Sequence, residues 1–182
     1  MKPNKPSGLL SIGLIAVAIL ITTVGAFLMV TNQFKSDAGN LSAEIYSVEL
    51  DRVQAVDSIT SAMGVFTNKE RNSERQNTAV VALNYIGNGD FDQAMKLLDK
   101  IDNSRLSARQ KYLLNKAKAN YKERTEELKE LVAKQNKKID SYEKLATKGV
   151  TGWVYQNIFR QKPKTLERFE VKQNNLHVVG KY

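Results

Sequence analysis

The chain has 182 residues with one His, no Cys and three Pro, and its formal net charge is +9. Without Cys there is no disulfide framework, thiolate metal site or Cys nucleophile, and His177 alone cannot make a multi-histidine metal cluster. Long runs of Ala, Leu, Glu, Lys, Gln and Arg favour helix almost throughout.

Residues 1–8 form a short N-terminus with Lys2 and Lys5. Leu9 to Val30 reads LLSIGLIAVAILITTVGAFLMV, twenty-two residues with no charge and no Pro. At 1.5 Å per residue a helix of this length spans a hydrocarbon core roughly 30 Å thick. A secretory signal peptide is the competing reading, with Lys2 and Lys5 as its basic region and Val24-Gly25-Ala26 as its cleavage site. The apolar run exceeds the roughly 7–15 residues of such a peptide and continues through Phe27, Leu28, Met29 and Val30, which favours a retained anchor. The sequence thus predicts a single-pass protein of the inner (cytoplasmic) membrane. Lys2, Lys5 and the terminal amine precede the anchor, while Lys35 and Asp37 nearly cancel after it. The positive-inside tendency places the N-terminus in the cytoplasm and the C-terminal domain outside. Ala18, Thr22 and Ala26 recur at four-residue spacing beside Gly25, a small-residue face through which two anchors could dimerise.

From Phe34 the apolar spacing changes to alternating steps of three and four. Phe34, Ala38, Leu41, Ile45, Val48, Arg52, Ala55, Ile59, Ala62 and Phe66 make one seam with the a/d period of a packed or coiled helix. Tyr46, Leu50, Val53 and Val56 widen it, and Gly39-Asn40 could loosen its first turns. Arg52 is the one charge on the seam. It is read either as a guanidinium that reaches the rim or pairs with a carboxylate on a neighbouring helix, or as a polar pin that fixes helix register.

Thr67–Glu70 and Ser73–Gln76 both have capping-box form, so a helix boundary is expected near 67–76. The next apolar run closes at Gly87-Asn88-Gly89, a C-terminal signal, and Asp90 then caps Phe91 to Ile101. The segment from Ala82 to Ile101, with Gly89, Phe91, Ala94 and Leu98 at its packing positions, resembles the helix-turn-helix of a tetratricopeptide repeat. No second copy follows at the 34-residue period, so it is read as a local αα-hairpin.

Ser107–Gln110 opens the longest helix after the anchor, running to about Thr147. Its seam is Leu114, Ala117, Tyr121, Arg124, Leu128, Leu131, Gln135, Ile139, Tyr142 and Leu145, interrupted by Arg124 and Gln135 as the first seam is by Arg52. Two long helices with matching seams and a hairpin between them predict an all-α fold over 31–147, an antiparallel three- or four-helix bundle. Arg52, Arg124 and Gln135 are its candidate interaction or register residues.

Lys148–Gly152 breaks the pattern and opens a C-terminal segment, 148–182. Trp153, Tyr155 and Phe159 mix there with Arg160, Lys162, Lys164 and Arg168, a composition suited to a membrane-interface helix or to a cap on the end of the bundle. Leu176 to Val179 reads as one extended edge, and His177 as a surface residue. Charge is polarised along the chain: residues 31–105 hold eight basic and eleven acidic side chains, and residues 106–182 hold eighteen and eight. The second half would face an anionic surface, lipid or acidic protein, unless its charge serves solubility alone. No nucleic-acid recognition motif accompanies it, and none is expected as partner.

The order of a short N-terminus, one anchor, a long helix issuing from it and an aromatic-basic end resembles the LemA family of small bacterial membrane proteins. Leu50-Asp51-Arg52-Val53 keeps the Leu and one Arg of that family's Leu-x-Arg-Arg stretch, and Ile158 to Phe169 is similar to its aromatic end. Ala55–Ser58 departs from the family's Asp-Leu-Ile-Pro run, and Thr31-Asn32 from its Tyr-Asn pair. The resemblance implies an anchored helical bundle with no established enzymatic activity.

No phosphate loop, catalytic triad, metal-ligand set or isolated carboxylate pair is visible, so neither an enzyme nor a cofactor is expected. The leading expectation is a non-enzymatic interaction or scaffold protein of the cell envelope. Its partners would be membrane lipid, an unidentified envelope protein or a second copy of itself. The alternatives are a sensory ectodomain and a peripheral module binding anionic lipid.

Overall fold

The computed structural model describes residues 8–69, 74–101, 106–172 and 175–181. Lys2 and Lys5, which set the expected orientation, lie outside those residues, as do Glu70 and Ser73 of the two capping boxes. Helix accounts for 82% of the structure. The helices are α1 (Gly8–Lys69), α2 (Glu74–Gly87), α3 (Phe91–Lys100), α4 (Ala108–Thr147) and α5 (Gly149–Trp153), with a π-helical turn at Val154–Ile158. Strands β1 (Glu167–Lys172) and β2 (Asn175–Lys181) pair antiparallel as a two-stranded sheet. This corrects the all-α expectation at its C-terminal end. The stretch from Trp153 to Phe169, whose composition suits an interface helix, is instead a helical turn, an irregular stretch and the start of β1, and the extended edge expected at Leu176–Val179 lies within β2.

The chain divides into two compact units, Met1–Ala38 with Lys138–Lys164 and Gly39–Lys137 with Thr165–Tyr182. Helices α1 and α4 contribute to both.

In the first unit, α1 begins as a helix apolar on every side. Its most apolar window has a mean hydropathy of 2.5 with none of it buried, so one helix near the N-terminus is long and apolar enough to cross a membrane. Burial starts at Thr31, whose hydroxyl donates 2.8 Å back to the Phe27 carbonyl, and resumes at Ala38. On the α4 side Ile139, Tyr142 and Ala146 are buried at three- and four-residue spacing. Lys138 joins the two helices, its Nζ 2.7 Å from an Asp37 oxygen and 5.2 Å from the centre of the Phe34 ring.

In the second unit the expected seam of α1 is buried at Leu41, Ile45, Val48, Arg52, Ala55 and Ile59, joined by Val56 and Met63. Tyr46, Leu50 and Val53, expected to widen it, are exposed. On α4 the buried line is Leu114, Ala117, Tyr121, Thr125, Leu128, Leu131, Val132 and Gln135. Ser42 meets Gln135 and Asp51 meets Arg124, so the two helices pass each other antiparallel. Ser107 caps α4 in reciprocal fashion. Its hydroxyl accepts from the Gln110 N–H at 3.3 Å, and the Gln110 side chain accepts from the Ser107 N–H at 3.0 Å.

One core cluster draws Ala55, Val56, Ile59 and Met63 of α1 together with Ala79 and Ala82 of α2, Leu98 of α3 and Leu114, Ala117 and Tyr121 of α4. The α2–α3 hairpin that builds it turns at Gly89, whose φ of +76° suits glycine. Asp90 then caps α3 by accepting the Gln93 N–H at 3.2 Å. A second cluster sets Leu41, Ile45 and Val48 against Leu128, Leu131, Val132 and Phe169 of β1. An isolated hairpin is marginal in water. Here Phe169 is inserted in the core, and side-chain amides of α4 take the edge carbonyls of β1: Gln135 donates to Glu167 at 3.1 Å and Asn136 to Phe169 at 2.9 Å. At the other end Asn175 donates to the Gly89 carbonyl, tying the strand hairpin to the helical one.

Two glycines show how differently the backbone uses this residue. Gly39 lies inside α1 with nothing within 4 Å of an added Cβ, and the helix runs through it without the expected loosening. A Cβ on the buried Gly152 would lie 2.4 Å from the Thr147 carbonyl carbon. Gly39→Ala is expected to stabilise the chain by up to about 1 kcal/mol through helix propensity. Gly152→Ala should destabilise it by about 1–3 kcal/mol, because backbone must move. Chemical denaturation of both variants in detergent, followed by circular dichroism, checks the opposite signs.

Candidate functional site

In the first unit α4 ends at Thr147 because the next residues reverse the chain. Lys148 is extended and Gly149 takes φ +62°, after which Gly152 N–H donates 3.0 Å to the Lys148 carbonyl. This corner returns α5 against the end of α4, where the Gln156 side chain donates to the Ala146 carbonyl at 3.0 Å. The π-helical turn then closes with Phe159 N–H on the Val154 carbonyl and Gln161 N–H on the Tyr155 carbonyl. Arg160 stands between them at φ 51°, the one positive-φ residue other than glycine among the described residues.

The turn rests on the apolar helix. The Phe27 ring lies edge-on to Tyr155 at 6.3 Å and stacked with Phe159 at 6.4 Å, within the range of favourable aromatic pairs. Tyr155 is buried, and that burial, followed by the neighbouring Tyr142, pushes its phenol pKa up. Tyr142 Oη in turn accepts the Lys164 N–H at 2.8 Å. Facing outward are Trp153, 59% exposed, Ile158, 58% exposed, and Val150, 79% exposed, with Lys148, Arg160, Lys162 and Lys164 also exposed.

The structure therefore gathers six of the seven expected interface residues in one unit: Trp153, Tyr155, Phe159, Arg160, Lys162 and Lys164. Tyr155 is not an outward ring but the anchor of the turn. Arg168 belongs to the second unit, in β1. Phe27 and Gly152, which organise the turn, were not singled out in the sequence. Phe27 could have been, as the one aromatic residue of the apolar run. Ala18, Thr22, Gly25 and Ala26 all lie on the exposed part of α1. The Thr22 hydroxyl donates to the carbonyls of Ala18 and Ile19 within its own helix.

In the second unit Arg52 is 2% exposed, among the largest fully buried side chains. It does not reach the rim. Glu49, one turn earlier on α1, receives both its Nη2 at 2.7 Å and its Nε at 2.9 Å. The guanidinium carbon also lies 5.4 Å from the Phe91 ring centre and 5.8 Å from that of Tyr121. A fork-to-carboxylate pair flanked by two rings compensates a desolvated cation where a lysine would not. Burial pushes the Tyr121 phenol pKa up, and Arg52 pulls it part of the way back. Gln135 is fully buried and joins Ser42 of α1 to the Glu167 carbonyl of β1.

Arg124 is different. It stays partly exposed at the helix edge with Glu127 and, 4.0 Å away, Asp51, while Thr125 takes the buried position. It borders an open groove of about 720 Å³ whose lining mixes Asp51, Gln54, Ser58, Gln110 and Asn120. Among the described residues no three His, Cys, Asp or Glu side chains gather as a metal site.

No protein-family model, curated protein or solved structure matches the chain. The LemA resemblance thus stands on the letters of the sequence alone.

Removing Arg52, buried against the half-buried Glu49, should be costly. Arg52→Ala leaves Glu49 without its partner and opens a cavity, and a loss of about 3–5 kcal/mol is expected. Arg52→Met, which keeps volume, should cost much less in a background where Glu49 is also made Gln. Thermal unfolding of the three proteins checks the ranking; equal stability of Arg52→Ala and wild type would contradict it.

Proposed function

We propose that the chain is a single-pass protein of the bacterial inner membrane whose helical domain works as a non-enzymatic interaction or scaffold module of the envelope. The observation that carries this reading is the character of α1. One uninterrupted helix is apolar on all sides through Val30 and then, within two turns, buries a single face in a protein core. The first pattern suits lipid and the second suits an aqueous domain. An antiparallel bundle of α1 to α4, with the C-terminal hairpin closing one end of its core, gives the module a fixed surface.

The positive-inside tendency supports an N-terminus in the cytoplasm and a domain outside. The buried Arg52 and Gln135 are read as positioning residues that hold α1, α3, α4 and β1 in one register. This is the type of anchored bundle that the LemA resemblance implies.

Alkaline carbonate washing of membranes from cells expressing the full chain tests the anchor. The protein should stay in the pellet, whereas deletion of residues 9–30 should release it. Protease added to spheroplasts should digest the C-terminal domain. Release of the full chain by carbonate, with trimming near Ala26, would overturn the proposal.

A further inference from the structure

We propose that Lys148–Lys164 is a seat for anionic phospholipid headgroups. The inference rests on the reading of Leu9–Val30 as a membrane span and names what its exit touches.

Position comes first. Phe27, on which Tyr155 and Phe159 sit, is three residues short of Val30, about 4.5 Å along the helix axis. A turn held there lies at headgroup depth, where aromatic rings and basic side chains partition favourably. Composition agrees. The seventeen residues from Lys148 to Lys164 contain four basic side chains and no acidic one. Their outward surface combines Val150, Trp153 and Ile158 with Lys148, Arg160, Lys162 and Lys164. Apolar side chains that enter the acyl boundary beside cations that meet phosphate are the two parts of interfacial binding.

The turn is also built to keep that surface outward. Gly152 pressed on Thr147, the Gln156 bond to Ala146 and the Lys164 bond to Tyr142 fix its backbone at three places. Tyr155 is turned inward while Trp153 and Ile158 stay exposed. Arg160 occupies a left-handed backbone position that glycine adopts freely and a long side chain adopts at a cost. A cation stands where the local fold alone favours glycine. An acidic protein surface would satisfy the cations, but it would leave the exposed apolar residues beside a span unaccounted for. Lipid takes both.

Trp153 is the single tryptophan of the chain and reports on the seat directly. The full-length protein is reconstituted in nanodiscs of phosphatidylcholine alone or mixed with phosphatidylglycerol, with bromine near the glycerol end of the acyl chains. In anionic discs Trp153 emission should shift to the blue and be quenched by the bromolipid, and added salt should reverse both. Each cation removed in the series Arg160→Gly, Lys162→Gln, Lys164→Gln should weaken seating roughly fivefold. Arg160→Gly suits its backbone position, and the Lys162→Gln/Lys164→Gln pair leaves the backbone untouched, so both retain the turn. Quenching equal in neutral and anionic discs and unmoved by salt would overturn the proposal. So would emission that stays water-like, or that is blue-shifted without quenching because protein covers the ring, while the chain remains in the disc. Loss of the chain from the discs would instead overturn the anchor itself.

Discussion

An uncharged helical segment that exposes most of its apolar surface is the constraint from which the rest of this architecture follows. Leu9 to Val30 holds thirteen Leu, Ile, Val and Phe residues, and in a bilayer each contributes about 0.3–0.6 kcal/mol. The sum, about 4–8 kcal/mol, is available only if the surface leaves water. Because α1 has no break at Val30, the orientation of the first segment passes into the next two turns. Thr31 marks the change. Its hydroxyl is satisfied by the Phe27 carbonyl, so a polar residue can be buried where the helix first meets protein.

Beyond that point the same helix has to meet a different demand, a single buried stripe with everything else in water. Small and branched residues serve most of it. The exception, Arg52, shows how a cation is retained in a core: a carboxylate on its own helix and two aromatic faces surround it. Phe91 comes from the first turn of α3 and Tyr121 from α4, so the guanidinium can be satisfied only when both stand in register with α1. Gln135 does the same for β1. Polar groups whose hydrogen-bond partners come together in one arrangement only make alternative packings costly, which is a specific use of buried polarity in a chain with no disulfide.

The helices were legible because their evidence is periodic and local. The seam from Ala38 to Ile59, the Ser107 cap, the Asp90 cap and the glycine turn at 87–89 can each be read from a few neighbouring letters, and each stands in the structure at those residues. What could not be read is what depends on distant partners. Glu167–Lys172 has no clean alternation, and its strand is held by pairing with β2 and by Gln135 and Asn136, more than thirty residues earlier, which donate to its carbonyls. The spacing marks Arg52 as the one charge on the seam but does not single out Glu49, at i−3 on the same helix, which accepts its Nε and Nη2. Arg124 looked equivalent to Arg52 by spacing. The seam shifts by one residue to Thr125, as a helix of 3.6 residues per turn must over a long heptad-like run. The aromatic-basic segment was legible as composition and not as shape, since its turn is set by the contact of Gly152 with Thr147 and by the Phe27 ring.

Under the proposed reading α1 leaves lipid as a helix and enters a core as the same helix. The absence of cysteine from the sequence allows single cysteines to be placed along α1 from residue 13 to residue 63 and spin-labelled one at a time in reconstituted membranes. Collision with lipid-soluble oxygen should dominate at every position through Val30. From Ala38 onward it should give way to a 3.6-residue oscillation in exposure to a water-soluble reagent. Access of the water-soluble reagent to positions 13–30 would show that the apolar helix is not in lipid, and the proposal would fail.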